Sequence, residues 1–241
     1  MSTYRTARAR NGANLPRTLL CTLIAAGALM PSATPAVADA GSGRTAGRQA
    51  AGKAADAPHA EDTALTPLQK IAQGLPRVTA QDVLRIAASK IGVSENEYGG
   101  GTEFHEWYMN SPRALETLAR DGGTLRGYAN APWCAMFVSW VGEQAGIRPI
   151  FGWDAYTVTY AKWFQANRHW GTEVASPGAV VFFDWAGTKT IDGIDHVGLV
   201  ERDNGDGTIT TIEGNTGNGK VERRVRPKWQ VVGYGYPPYA G

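Results

Sequence analysis

The feature that most constrains the fold is a change of apolar period part-way along the chain. From Thr79 the apolar residues Val83, Ile86, Ala87 and Ile91 recur at helical spacing, and Thr79 with Asp82 reads as a capping box. From Gly178 the pattern becomes short β-branched and aromatic runs divided by turn residues: "GAVVFFDW", "HVGLVER", "TITTIEGN", "KVERRVRP" and "QVVGYGYP". Helices come first and antiparallel strands follow, without alternation, so the chain reads as α+β. Residues 66–241 are enough for one domain with a real core, and no internal repeat is visible.

The preceding segment reads differently. Arg5, Arg8, Arg10 and Arg17 form a basic region ahead of an apolar run from Leu19 to Met30, and small-residue cleavage patterns follow around Ala38 and Ala40. That run is shorter than the roughly 20 residues a membrane span needs. Residues 1–40 are therefore expected to be a secretory signal, and residues 41–65 a disordered Gly/Ala-rich linker. Removing residues 1–40 takes away four arginines and one aspartate, so the formal net charge moves from +2 to −1. The basic balance belongs to the signal, and nucleic acid is not an expected partner. The mature chain is expected to be a monomer, without membrane attachment.

Only Cys21 and Cys134 are present. Losing Cys21 with the signal leaves Cys134 as the only thiol, in a compartment where thiols are usually paired. In "APWCAMFVSW" Pro132 suits the first turn of a helix, and Cys134, Val138, Val141 and Ala145 then share a face up to Gly146. A thiol in a helix's first turn is biased toward thiolate, as a nucleophile requires. A small core residue is the competing reading.

A base is needed, and His196 is the strongest of the four histidines because it opens an apolar strand. Asn204-Gly205 predicts a two-residue hairpin that pairs Asp203 with Asp206, Val200 with Ile209, Leu199 with Thr210 and His196 with Glu213. The side-chain period of two then puts Glu213 and Asn215 on the face of His196, with Val197, Leu199, Thr210 and Ile212 on the other. A carboxylate opposite an imidazole is the orienting half of a Cys-His-acid arrangement. A plain cross-strand polar pair is the bland alternative.

With these residues in view, the chain resembles the CHAP family, papain-like cysteine amidohydrolases and peptidases of bacterial cell-wall lysis. "APWCAMFVSWV" resembles the nucleophile helix, "SPGAVVFFDW" the Pro-Gly-Asp strand (with Ala179 for the Asp), "DHVGLVE" the histidine strand and "TIEGNT" the Glu-x-Asn strand. The resemblance implies N-terminal helices carrying the cysteine, packed on a C-terminal antiparallel sheet. It implies Cys134 as nucleophile, His196 as base and then acid, Glu213 as orienter and Asn215 as a further polar member. Peptidoglycan peptide is the implied substrate and secreted or wall-associated the implied location. Trp133, Trp153 and Tyr156 are candidate groove residues. No cofactor is expected; "GGTLRGYANAPW" has no carboxylate after Asp121 for the calcium loop some relatives carry, so no metal is expected. A catalytically silent wall-binding or toxin-like protein on the same fold is the alternative.

Overall fold

A computed structural model describes residues 64–241; the expected signal, Cys21 and nearly all of the expected linker lie outside the described residues. The helices come first. They are α1 (Pro67–Ala72), α2 (Ala80–Ala88), α3 (Glu103–Met109), α4 (Pro112–Asp121), α5 (Cys134–Gln144), α6 (Arg148–Phe151) and α7 (Thr157–Ala166). The strands follow: β1 (Trp170–Gly171), β2 (Val180–Phe183), β3 (His196–Asp203), β4 (Thr208–Glu213), β5 (Glu222–Pro227) and β6 (Val231–Gly235). They form one antiparallel sheet in the order β1-β6-β2-β3-β4-β5. The α+β reading holds.

Local chemistry explains the helix starts. Thr66, Thr79, Thr102 and Ser111 cap α1 to α4 through their side-chain oxygens, which take up backbone N–H groups that have no partner inside the helix. Helix α5 begins at Cys134 rather than at Pro132, and its first nine residues are all buried rather than one face of them. Burial at about 1.5–3 kcal/mol for each large apolar side chain makes such a helix the centre of the core. It packs against α2, α3, β3 and β4. Val180, Phe182, Val197, Leu199 and Ile212 join it from one face of the sheet, while Val181, Phe183, Val200 and Ile209 form a second cluster on the other face.

The β3–β4 hairpin departs from the expected register. The connection is a four-residue loop, Asn204 to Gly207, closed by Asn204 N–H donating to Thr208 O at 3.1 Å. The Asp203 and Asp206 carboxylates accept from the N–H groups of Gly205 and Thr208, each at 3.0 Å. Gly205 and Gly207 both take left-handed φ, 76° and 85°. Asp203 therefore pairs with Ile209, not Asp206, and an irregularity between Val200 and Arg202 shifts the ladder again. In its body Leu199 pairs with Ile212 and Val200 with Thr211, so the expected pairs Leu199–Thr210 and Val200–Ile209 are wrong. The displacement of Leu199's partner is two residues, an even number, so the residues from His196 to Val200 and from Ile209 to Glu213 keep their expected faces, while Arg202 and Asp203, past the irregularity, exchange theirs.

Candidate active site

In the observed register His196 is not opposite Glu213; continuing the ladder of Leu199 and Ile212 sets Gly198 there. A Cβ at Gly198 would lie 2.7 Å from Glu213 Cγ. The absent side chain is what lets Glu213 lean along the sheet face toward His196. The contact itself forms, with His196 Nε2 2.9 Å from Glu213 Oε2.

Glu213 is fully buried and its carboxylate is saturated with donors. Thr211 Oγ1 donates to Oε1 at 2.5 Å. Arg226, from β5, grips both oxygens, with Nε 2.9 Å from Oε1 and Nη2 2.6 Å from Oε2. Burial pushes the Glu213 carboxyl up, but the hydrogen bonds and charges of His196 and Arg226 outweigh it and hold the carboxyl down at about 2. An ionised carboxylate only accepts, so His196 carries a proton on Nε2, and Nδ1 is the nitrogen left for exchange with another group. Aromatic rings wall the imidazole: Trp185 lies 5.4 Å and Phe183 6.0 Å away between centroids. The Arg226 guanidinium lies 4.8 Å over the Trp185 ring.

Cys134 occupies the first turn of α5 and is buried. That turn sits over Gly214, where an added Cβ would meet Phe137 Cβ at 2.7 Å and the Trp133 ring at 2.8 Å. Gly214 directly follows Glu213, so the thiol-bearing turn and the His196–Glu213 pair meet at the same end of the sheet. In contrast to α1–α4, no side chain caps α5, so its first-turn N–H groups are not taken up by a capping oxygen. Asn215 lies just past β4, with φ 53° and no side-chain hydrogen bond among the described residues.

The aromatic candidates divide. Trp133 is 0% exposed, stacks on Phe104 at 5.3 Å and donates Nε1–H to Glu95 Oε2 at 3.1 Å, so it is core and not a groove wall. Trp153 is half-buried under the Arg148 guanidinium, and Tyr156 half-buried beside that of Arg120. Tyr156 precedes Thr157, whose Oγ1 donates to Ile194 O at 3.1 Å, close along the chain to His196.

Sequence reasoning missed three contributors. Gly198 was passed over because a glycine inside a strand shows no partner until register is known. Arg226 lies in "KVERRVRP", which reads as a strand, but nothing in its spacing sets one of its arginines against Glu213. His105 reads as part of a polar stretch, yet it is buried and its Nε2–H donates to Ala131 O at 3.0 Å, three residues before Cys134. Its Nδ1 accepts from Thr102 Oγ1 at 2.7 Å, and burial lowers its pKa, which keeps the ring neutral.

A helix opening on cysteine, packed on an antiparallel sheet that carries a carboxylate-held histidine, matches the arrangement of a papain-like α+β fold. The family model of the CHAP domain matches residues 126–215, and the chain is similar to that family over this stretch. The match runs from just ahead of α5 to Asn215 and so spans Cys134, His196 and Glu213. No curated protein and no solved structure matches the chain. CHAP domains are generally cysteine- and histidine-dependent amidohydrolases of the peptidoglycan-hydrolase type.

Proposed function

We propose that the protein is a secreted peptidoglycan hydrolase that cleaves an amide bond by Cys-His-Glu nucleophilic catalysis. The bond is that between muramic acid and L-alanine, or one within the stem peptide or cross-bridge. The observation that carries this reading is the buried His196–Glu213 contact at 2.9 Å, at the sheet end where the Cys134 turn packs. With Nε2 held by Glu213, Nδ1 is the nitrogen that takes the thiol proton. The Cys134 sulfur then attacks the amide carbonyl, and N–H groups of the uncapped α5 start receive the oxyanion. The imidazolium protonates the leaving amine as the C–N bond breaks. Water, deprotonated by His196, hydrolyses the thioester and restores the thiol. Glu213, not Asn215, orients the ring. Cys134 and His196 are only 1% and 5% exposed, which favours a thin extended peptide over a globular protein as substrate.

The test is clearance of purified peptidoglycan by wild type and Cys134→Ala, with mass spectrometry of the released fragments. Wild type is expected to release fragments with new amino termini, among them stem peptides that begin at a free L-alanine if the muramoyl amide is cut, and Cys134→Ala none. Equal release by both overturns the nucleophile, and binding of peptidoglycan without any release supports the silent alternative.

A further inference from the structure

Arg226 belongs to none of the expected catalytic groups, yet it makes the most demanding contact in the site. Its side chain is 17% exposed, and its fork is closed on a carboxylate that is itself 0% exposed. Burying such a pair costs desolvation that its mutual attraction does not reliably return, and an apolar pair of similar volume is often at least as stable. Stability alone is therefore a poor reason for it. The geometry supplies a better one.

We propose that Arg226 is a positioning residue for His196, acting through Glu213: its fork fixes the carboxylate so that it receives the Nε2 proton and leaves Nδ1 to face the thiol. This inference rests on the Cys-His-Glu reading. Trp185 backs the guanidinium at 4.8 Å and itself packs on the imidazole, so the arginine is held from behind as it holds the carboxylate in front. A second consequence is electrostatic. Arg226 neutralises Glu213, so the pair adds no net negative charge beside His196, and the carboxylate orients the ring without over-stabilising its protonated form.

The other ionisable groups around the pair are accounted for. From β5, Glu222 is the register partner of Glu213, but its carboxylate is occupied by Thr216, Asn218 and Arg224. From the turn after β2, Asp184 accepts from Thr188 and backbone N–H groups, and Asp195 accepts from the Trp185 N–H. Helix α5 contributes Cys134, and α2 turns Val83, Leu84 and Ala87 into the core. Arg226 is thus the cation in hydrogen-bond contact with Glu213.

The experiment compares the full chain with Arg226→Met, Arg226→Lys, Glu213→Gln and the Arg226→Met/Glu213→Gln double variant. It reads the iodoacetamide alkylation rate of Cys134 across about pH 4 to 10, alongside kcat and KM on peptidoglycan fragments. Removing the arginine charge should move the limb that reports loss of the imidazolium to higher pH by about 1, while kcat falls about 10- to 100-fold at little-changed KM. Arg226→Lys should keep the limb in place and lose kcat several-fold, because a point charge replaces the fork. The double variant should be no slower than Glu213→Gln, since the arginine acts through the carboxylate. It also removes both buried charges, so it reports even where Arg226→Met alone does not fold. A wild-type thiol that alkylates like an ordinary one at every pH overturns the nucleophile reading and this inference together. An activated wild-type thiol overturns the inference alone if the limb stays put in folded Arg226→Met, if Arg226→Lys keeps full kcat, or if the double variant loses activity additively.

Discussion

The domain holds two buried carboxylates clasped by arginine, and they differ in what completes them. Asp154, 1% exposed, takes Arg113 and Arg120 at 2.8 Å each, with the Tyr156 N–H at 2.8 Å. Its backbone exchanges hydrogen bonds with Ser139 Oγ, which ties α5 to the segment ahead of α7. Each of these partners keeps one protonation state near neutrality. Glu213 has one arginine, one hydroxyl and one imidazole, and the imidazole is the one of the three whose second nitrogen can take up and give back a proton in a reaction. Burial and an arginine fork are therefore not the mark of a site. A third partner able to pass a proton, at the sheet end where a thiol-bearing helix packs, is.

The sharpest break between the two centres comes from neutralising each carboxylate. Glu213→Gln should keep the fold and lower kcat by about 10⁴, the scale of losing an orienting carboxylate in a nucleophilic triad. Asp154→Asn should do the reverse. It should cost roughly 2 to 3 kcal/mol, less than a sealed pair because both arginines are partly exposed, and leave the folded fraction active. Urea denaturation and peptidoglycan clearance of both variants decide it. A fully active Glu213→Gln, or a well-folded but dead Asp154→Asn, would erase the distinction.

Acid sharpens the comparison at the Glu213 centre. Its carboxyl is held at about 2 against an ordinary 4.5, a depressed value, so its stabilisation is complete above pH 4.5 and is lost as pH falls toward 2. Across that window wild type should lose on the order of 3 kcal/mol more than Glu213→Gln. Parallel stability curves for the two proteins would mean that the carboxylate is not held as its contacts require.

The smallest effect tests the faces of β4. Thr210 Oγ1 donates to Asn204 Oδ1 at 2.9 Å, on the side away from His196 and Glu213. Thr210→Val should cost about 1 kcal/mol and retain activity. Lost activity in a folded variant would put the threonine on the catalytic face.

Much of this is legible in the chain because it is local. The capping box at Thr79, a helix with Cys134 in its first turn and the strand that opens at His196 follow from spacings of a few residues. That His196 and Glu213 share a face follows from the period of two, which survives any even slip of register. What the tertiary structure alone decided is which residues oppose which. The aspartates of the 203–206 turn and two left-handed glycines make a longer loop than Asn-Gly suggests, and an irregularity near Glu201 offsets the ladder again. Those offsets make Gly198 the gap through which Glu213 reaches its histidine, and a third strand brings Arg226 onto the carboxylate. The period of a strand is a property of its own backbone, whereas a partner is set by the summed geometry of every turn and bulge between two segments.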